Sequence, residues 1–282
     1  MKLGQLLGKE KLFSYIDKFG FGHKTGVDLN GEGTGIIFDL DKVGNLELAT
    51  TAFGQGVSVT PIQQTSAVSA IVNGGNLYRP YIVKSIALNE TNSIIKENHE
   101  ELIRKVISGE TSKIMRYALE SVVAKGGGKS AYIEGYRVGG KTGTAQKVQN
   151  GRYLVGNYIM SFMSIVPSNN PEAVLYLAID NPKHTALLSS YTTTPIARRI
   201  LLDIIDALKI KPQEKELEKD LEWYDKELFI IPNVVGKSIK EAQKVLSKFN
   251  IEYTGTGTTV VSQSPPPNTK LEEKGTIRLL LE

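Results

Sequence analysis

Residues 136–180 carry three β-patterned stretches, near 136–147, 152–166 and 173–180, separated only by short polar turns. Parallel neighbours need a crossover of roughly a dozen residues or more, usually a helix. None fits between these stretches, so the spacing predicts consecutive antiparallel strands. Helical patterns flank them on both sides. The expected class is therefore α+β, an antiparallel sheet with helices packed on it, and not a βαβ array.

The flanking helices have readable ends. Residues 6–19 repeat Leu12, Phe13, Ile16 and Phe19 at helical spacing and stop at Gly20 and Gly22. Thr60-Pro61-Ile62-Gln63 joins an N-cap, a first-turn proline and a capping-box glutamine, and Ala67, Val68, Ile71 and Val72 follow on one face. Two short strands are expected within 77–96, around a polar turn at Asn89–Asn92. A helix over 111–124 uses Met115, Leu119, Val122 and Val123 and ends at Gly126-Gly127-Gly128. The last helix of this region is expected from Thr194-Pro195 to 208, burying Ile196, Ile200, Leu201, Ile204, Ile205 and Leu208.

Residues 1–210 then give way to a charged stretch, "KPQEKELEKDLEWYDKE", at 211–227. It reads as a linker, up to about residue 228, or as a solvated continuation of the preceding helix. Residues 229–282 form a second unit. Ser238-Ile239-Lys240-Glu241 is a capping box, and Ala242, Val245, Leu246 and Phe249 make an apolar face. One helix on a three-stranded sheet is expected, too small to bury much core.

Composition excludes several functions. There is no cysteine, so disulfides, thiolate catalysis and zinc-thiolate sites are ruled out. Net charge is +4, from 34 basic and 30 acidic residues, with no basic stripe, so nucleic acid is not an expected partner. His23, His99 and His184 lie far apart in sequence, and no metal or other cofactor is expected. No apolar run approaches the ~20 residues that span a bilayer. The opening "MKLGQLLGKEKLF" has no apolar core after its basic start, so no export signal or membrane anchor is expected within this sequence.

The strongest local signal is Gly139-Gly140-Lys141-Thr142-Gly143-Thr144-Ala145-Gln146 on the first of the three strands. Lys-Thr-Gly is a signature of serine penicillin-binding proteins and serine β-lactamases. A second copy, Lys24-Thr25-Gly26, lies in a Gly-rich loop and reads as a chance match. The setting of the first copy, "YRVGGKTGTAQ", resembles the high-molecular-weight penicillin-binding D,D-transpeptidases. So do "KFGFGHKTGVDLNGE", "LATTAFGQGVSVTPIQ", "IVNGGNLYRPYIV" and "AIDNPK", across nearly all of residues 1–210. "IPNVVGKSIKEAQKVL" followed by "VVSQSPPPNTKLEEKGTIRLLL" resembles a PASTA domain. The combination is similar to the sporulation-specific, stage V D-type transpeptidases. The "FGQG" region and the PASTA-like unit argue against a β-lactamase.

The resemblance implies acyl transfer through a serine acyl-enzyme, with D-Ala-D-Ala stem peptides of peptidoglycan, or β-lactams, as ligands. It also implies an intact protein anchored in the membrane with its catalytic domain outside. Lys141 would make the pocket positive and bond the active-site hydroxyls. Thr142 would hold the ligand carboxylate, Gly143 would let substrate backbone lie along the strand, and the Thr144 N–H would serve the oxyanion hole. Gln146 lies further along the same edge.

The family also needs a Ser-x-x-Lys nucleophile and a Ser-x-Asn motif ahead of Lys141. Ser93-Ile94-Ile95-Lys96 matches the first in letters but sits in a strand-turn region. Ser168-Asn169-Asn170 matches the second but follows the Lys-Thr-Gly strand. The opening "MKLGQLLG" resembles family text just past the second motif. The expectation is a truncated transpeptidase without its serine, inactive alone and prone to self-association through uncovered apolar surface. The competing expectation is a non-catalytic module that binds muropeptides or a partner. Gln55, between Gly54 and Gly56, either shapes a loop near the site or is a plain turn, and Arg198-Arg199 reads as a solvated helix face.

Overall fold

The computed structural model describes residues 1–149, 152–182, 189–213, 217 and 228–282. It divides into two compact units, residues 1–118 with 169–176 and residues 119–168 with 177–282.

The first unit opens with α1 (Lys2–Leu7) and α2 (Lys9–Lys18). The single helix expected over 6–19 is thus two, because Gly8 sits at φ 81°, a left-handed conformation that breaks the ladder. Helix α3 (Asn45–Thr51) follows the Gly-rich segment, and α4 (Pro61–Val72) begins as expected. Thr60 caps the Gln63 N–H while the Gln63 side chain returns to the Thr60 N–H. Gln63 does more than cap. It is almost fully buried, and its amide nitrogen donates to the carbonyls of His23 and Thr34, so it ties the Gly-rich segment to α4.

Four short strands follow: β1 (Asn76–Tyr78), β2 (Ser85–Ala87), β3 (Ile94–Glu97) and β4 (Leu102–Lys105). β1 pairs antiparallel with β4, and β2 with β3 across the polar turn. Helix α5 (Gly109–Lys125) then runs to the glycine stop at Gly126.

A three-stranded sheet has the order β5 (Gly139–Gln149), β6 (Arg152–Val166), β7 (Ala173–Asp180), with β5, β6 and residues 177–180 of β7 in the second unit. β5 and β6 are antiparallel, with Lys141 opposite Met163 and Thr144 opposite Met160. Helix α6 (Ser189–Ala207) packs on β5 and β6. It begins earlier than Thr194 and carries Pro195 inside. The hydroxyls of Thr193 and Thr194 donate back to the carbonyls of Ser189 and Ser190, in the turn just ahead of Pro195. The buried stripe is Thr193, Thr194, Ala197, Leu201 and Ile205, whereas Ile196 and Leu208 are exposed. Of the six apolar side chains expected inside, only Leu201 and Ile205 are fully so. The proline start placed the helix too late and rotated its inner face.

Residues 228–282 carry β8 (Leu228–Ile230), α7 (Ile239–Val245), β9 (Asn250–Thr254), β10 (Val260–Ser264), β11 (Lys270–Glu272) and β12 (Thr276–Leu281). The expected three-stranded sheet is β10-β12-β9, with β9 and β12 parallel, and β8 pairs with β11 in addition. Ala242 and Leu246 are buried with Ile231, Val234, Val260, Ile277, Leu279 and Leu281, while Val245 faces solvent. The charged stretch read as a linker lies outside the described residues at 214–216 and 218–227. Its beginning is bound: Gln213 donates its backbone N–H to the Gly135 carbonyl, and Leu217 donates to Glu120.

Candidate functional site

β5 is an edge strand among the described residues, bonded to β6 on one side. Its glycines are dictated by packing. A Cβ on Gly140 would overlap the Phe162 ring, and one on Gly139 would lie 2.9 Å from Ile165 Cγ1. Both glycines and both β6 neighbours are buried. At Gly143 a Cβ would stand 2.5 Å from Ser161 Oγ. A side chain there would therefore have to displace the Ser161 hydroxyl of β6.

From this packed base the polar residues reach outward. Lys141 and Thr144 are exposed, and Thr142 and Gln146 are half-buried. Lys141 Nζ donates to the Thr142 carbonyl at 2.6 Å. Gln146 Nε2 donates to the Leu154 carbonyl of β6 at 3.1 Å, just before the register shift between Gln146 and Val148, so its amide nitrogen is engaged within the sheet. Lys147 pairs with Asp180.

No local sequence signal marks Ser189. It is buried at the start of α6, and its hydroxyl lies within bonding distance of both the Gly143 carbonyl and Thr144 Oγ1. A serine has one hydroxyl proton, and a carbonyl can only accept. Ser189 therefore donates to Gly143, and Thr144 donates to Ser189. Two adjacent residues of the Lys-Thr-Gly-Thr run are fixed to a helix in this way. Gly127 is the other close neighbour: a Cβ there would be 3.8 Å from Thr142 Oγ1. Beyond it lies a cavity of about 270 Å³ lined by Lys125, Lys129, Ser130, Ser190 and Tyr191 around the Gly126–Gly127 turn.

The other sequence candidates fall elsewhere. Ser93 sits in the β2–β3 turn and Lys96 on exposed β3, so neither begins a helix. Ser168 is buried and donates to Glu120 at 2.6 Å, a structural contact. In the Lys24-Thr25-Gly26 copy, Thr25 donates its N–H and hydroxyl to Glu32, and Gly26 donates its N–H to the same carboxylate. Burial is the largest influence on the Glu32 carboxyl and raises it, but these bonds together hold it below the usual range. That copy is a loop tie and not a strand edge. Gln55 lies in a turn that closes α3, its N–H on the Thr50 carbonyl, between Gly54 at φ 87° and Gly56 at φ 78°. His23 bonds Asp17 on the surface, His99 is exposed, and His184 lies outside the described residues. Among the described residues no group of His, Asp and Glu could hold a metal ion, and no helix is long and apolar enough to cross a membrane.

Residues 1–202 match the penicillin binding protein transpeptidase domain, and residues 229–282 match the PASTA domain. The chain belongs to the penicillin-binding transpeptidase family. It is 52% identical over its whole length to the stage V sporulation protein D of Bacillus subtilis, of which it covers 44%. It is 39% identical to the peptidoglycan D,D-transpeptidase FtsI homolog of Mesostigma viride, over 60% of this chain and 30% of that protein. Penicillin binding protein 3 of Mycobacterium tuberculosis, solved as a complex with ampicillin, superposes with a TM-score of 0.70 at 29% identity, over 77% of this chain and 51% of that one. The chain thus spans about half or less of each of these three relatives.

Proposed function

We propose that Lys141–Gln146 form the substrate-binding edge of a peptidoglycan-cross-linking D,D-transpeptidase, and that the serine acylated in that reaction is not among these 282 residues. The observation that carries the reading is an edge strand whose Gly143-Thr144 step is fixed to a helix through the buried Ser189 hydroxyl. Such an edge is preorganised to accept an extended peptide ending in D-Ala-D-Ala, or a β-lactam, as an added strand.

In this reading Thr142 takes the ligand carboxylate beside the Lys141 ammonium. The Thr144 N–H stabilises the oxyanion, a contact worth about 3–4 kcal/mol in the transition state where it is made. Gly143 keeps the strand close to β6, and Gln146 keeps the sheet in register at the far end. The intact protein acts outside the cytoplasmic membrane, in a sporulation role like that of its 52% identical relative.

Mass spectrometry after incubation with a β-lactam tests the missing serine. No stable adduct is expected, and a mass gain equal to the drug on any serine of this chain overturns the assignment. For the strand, an acyl-D-alanyl-D-alanine peptide titrated into ¹⁵N-labelled chain is expected to move the amide signals of Lys141–Gln146. Shifts confined to residues 229–282 would favour the module reading instead.

A further inference from the structure

The hydroxyl protons along β5 can be counted, and the count separates two threonines that the sequence leaves alike. A threonine hydroxyl has one proton to donate and two lone pairs with which to accept. Ser189 gives its proton to the Gly143 carbonyl, so Thr144 gives its own to Ser189. The relay from Thr144 through Ser189 to Gly143 runs in one direction, because a carbonyl only accepts, and bonds in such a chain strengthen one another. Ser189 is buried and Thr144 exposed, so the Thr144 proton is held inward while its lone pairs stay open to a ligand. Thr142 is the opposite case. It is half-buried and its hydroxyl bonds no described residue, so its proton remains to be donated. Lys141 has two further protons, since only one goes to the Thr142 carbonyl. Thr142 and Thr144 share one face of the strand, about 7 Å apart along it, in a register with β6 unbroken from Gly139 to Gln146.

We propose that Ser189 withholds Thr144 from carboxylate recognition and so sets the ligand preference of β5. The inference rests on the strand reading above, in which the ligand carboxylate sits beside Thr142 and Lys141. A planar terminal group that spans the two threonines meets a donor at Thr142 and an acceptor at Thr144. A carboxylate has only acceptor oxygens, so it finds donors at Thr142 and Lys141 and none in the Thr144 side chain. A primary carboxamide has an oxygen for Thr142 and an N–H for Thr144. The Lys141 ammonium favours the carboxylate, whose charge-assisted bonds are the stronger ones, and the relay reduces that margin. Ser189 is thus a positioning residue that acts through Thr144, and Thr144 Oγ1 is the atom that determines specificity. The strand tolerates an amidated peptide end better than two free hydroxyls would. The Thr144 backbone N–H is a separate group and keeps the oxyanion role assigned to it.

The test compares acyl-D-alanyl-D-alanine with its terminal carboxamide. Each is titrated into the whole ¹⁵N-labelled chain, and dissociation constants are read from the amide shifts of Lys141–Gln146. Ser189→Ala releases the Thr144 proton, and the preference for acid over carboxamide is expected to rise at least about threefold, the worth of one hydrogen bond. Loosening of the strand would weaken both peptides by the same factor and leave that ratio unmoved. Thr144→Val reads the same relay without altering the buried serine. There the carboxamide is expected to weaken about threefold or more, while the acid changes less than about twofold. Thr144→Ser keeps the hydroxyl and is expected to restore the parent ratio. In the Thr144→Val background, Ser189→Ala is expected to leave the ratio where it stands, because no Thr144 proton remains to release. A ratio unchanged by Ser189→Ala in the parent background, or an acid weakened by Thr144→Val as much as the carboxamide, overturns the role of Ser189 and leaves the strand reading intact. A parent chain in which neither peptide moves Lys141–Gln146 overturns the strand reading and this inference together.

Discussion

At the scale of single residues, Glu120 is the most heavily committed carboxylate among the described residues of the second unit. It accepts from Arg137 Nε at 3.0 Å and Nη2 at 2.7 Å, from the Ser168 hydroxyl at 2.6 Å and from the Leu217 N–H at 3.3 Å. Burial is the largest influence on its carboxyl and raises it, yet the bonds from Arg137, Ser168 and Leu217 outweigh it and hold the group below the ordinary value. Glu120→Gln is expected to cost about 3 kcal/mol, because it leaves Arg137 beside an uncharged partner. Urea denaturation at neutral pH reads this directly. The sign of the pH dependence follows from the direction of the shift. A folded-state pKa below the unfolded value contributes stability above about pH 4.3 that is lost as pH falls through the folded value. The gap between the parent chain and Glu120→Gln should therefore narrow as pH falls below about 4.3, and a constant gap would refute the assignment. Nothing in the sequence announces Glu120, since its partners lie 17, 48 and 97 positions away. The Lys141–Thr144 run was legible because it is local and contiguous. Ser189, Gln63 and Glu120 were not, because each is defined by what a distant segment brings to it.

At the scale of elements, β5 and β6 explain why the glycines of the signature run are glycines. Gly143→Ala places a methyl group against Ser161 Oγ, at a distance real Cβ atoms do not adopt. It is expected to destabilise the chain by about 1–3 kcal/mol through overpacking. The cause can be isolated. Ser161→Ala removes the clashing oxygen and leaves Ser161 Cβ at 3.9 Å, so the double variant should recover most of the loss. A thermal-denaturation double-mutant cycle measures it, and additive effects with no coupling would show that Gly143 is required for another reason. The same elements show the limits of pattern reading. Capping boxes located α4 and α7 because the capping atoms sit within three residues of each other. Pro195 misplaced the start of α6 because a first-turn proline is the common case, whereas this helix starts at Ser189 and carries the proline inside. α3, seven residues like α7, was missed because its cap is Gly44, which offers no side-chain oxygen to read, and Gly8 split the first helix because a left-handed glycine interrupts a ladder without changing the apolar spacing.

At the scale of the whole molecule, what remains outside is as informative as the core. α1 and α3 pack against each other through Gly4 and Ala52, yet only Gly4 of α1 is buried. Leu3 and Leu6 are each 83% exposed, and Leu46 and Phe53, on and just after α3, are 71% and 54% exposed. Single exposed leucines are ordinary, but four large apolar side chains on and beside two short packed helices are apolar area that water disfavours. Each fully covered leucine or phenylalanine would contribute about 1.5–3 kcal/mol, a gain set against the entropy of association. The chain is therefore expected to self-associate, with a sedimentation coefficient that rises with protein concentration. Leu3→Lys/Leu6→Lys, two exposed positions whose substitution removes no buried contact, should shift the distribution toward monomer and leave the melting of the sheet unchanged. If the parent chain sediments as a monomer at every concentration, or if the lysine variant associates as strongly as the parent, the apolar face of α1 is not what drives assembly.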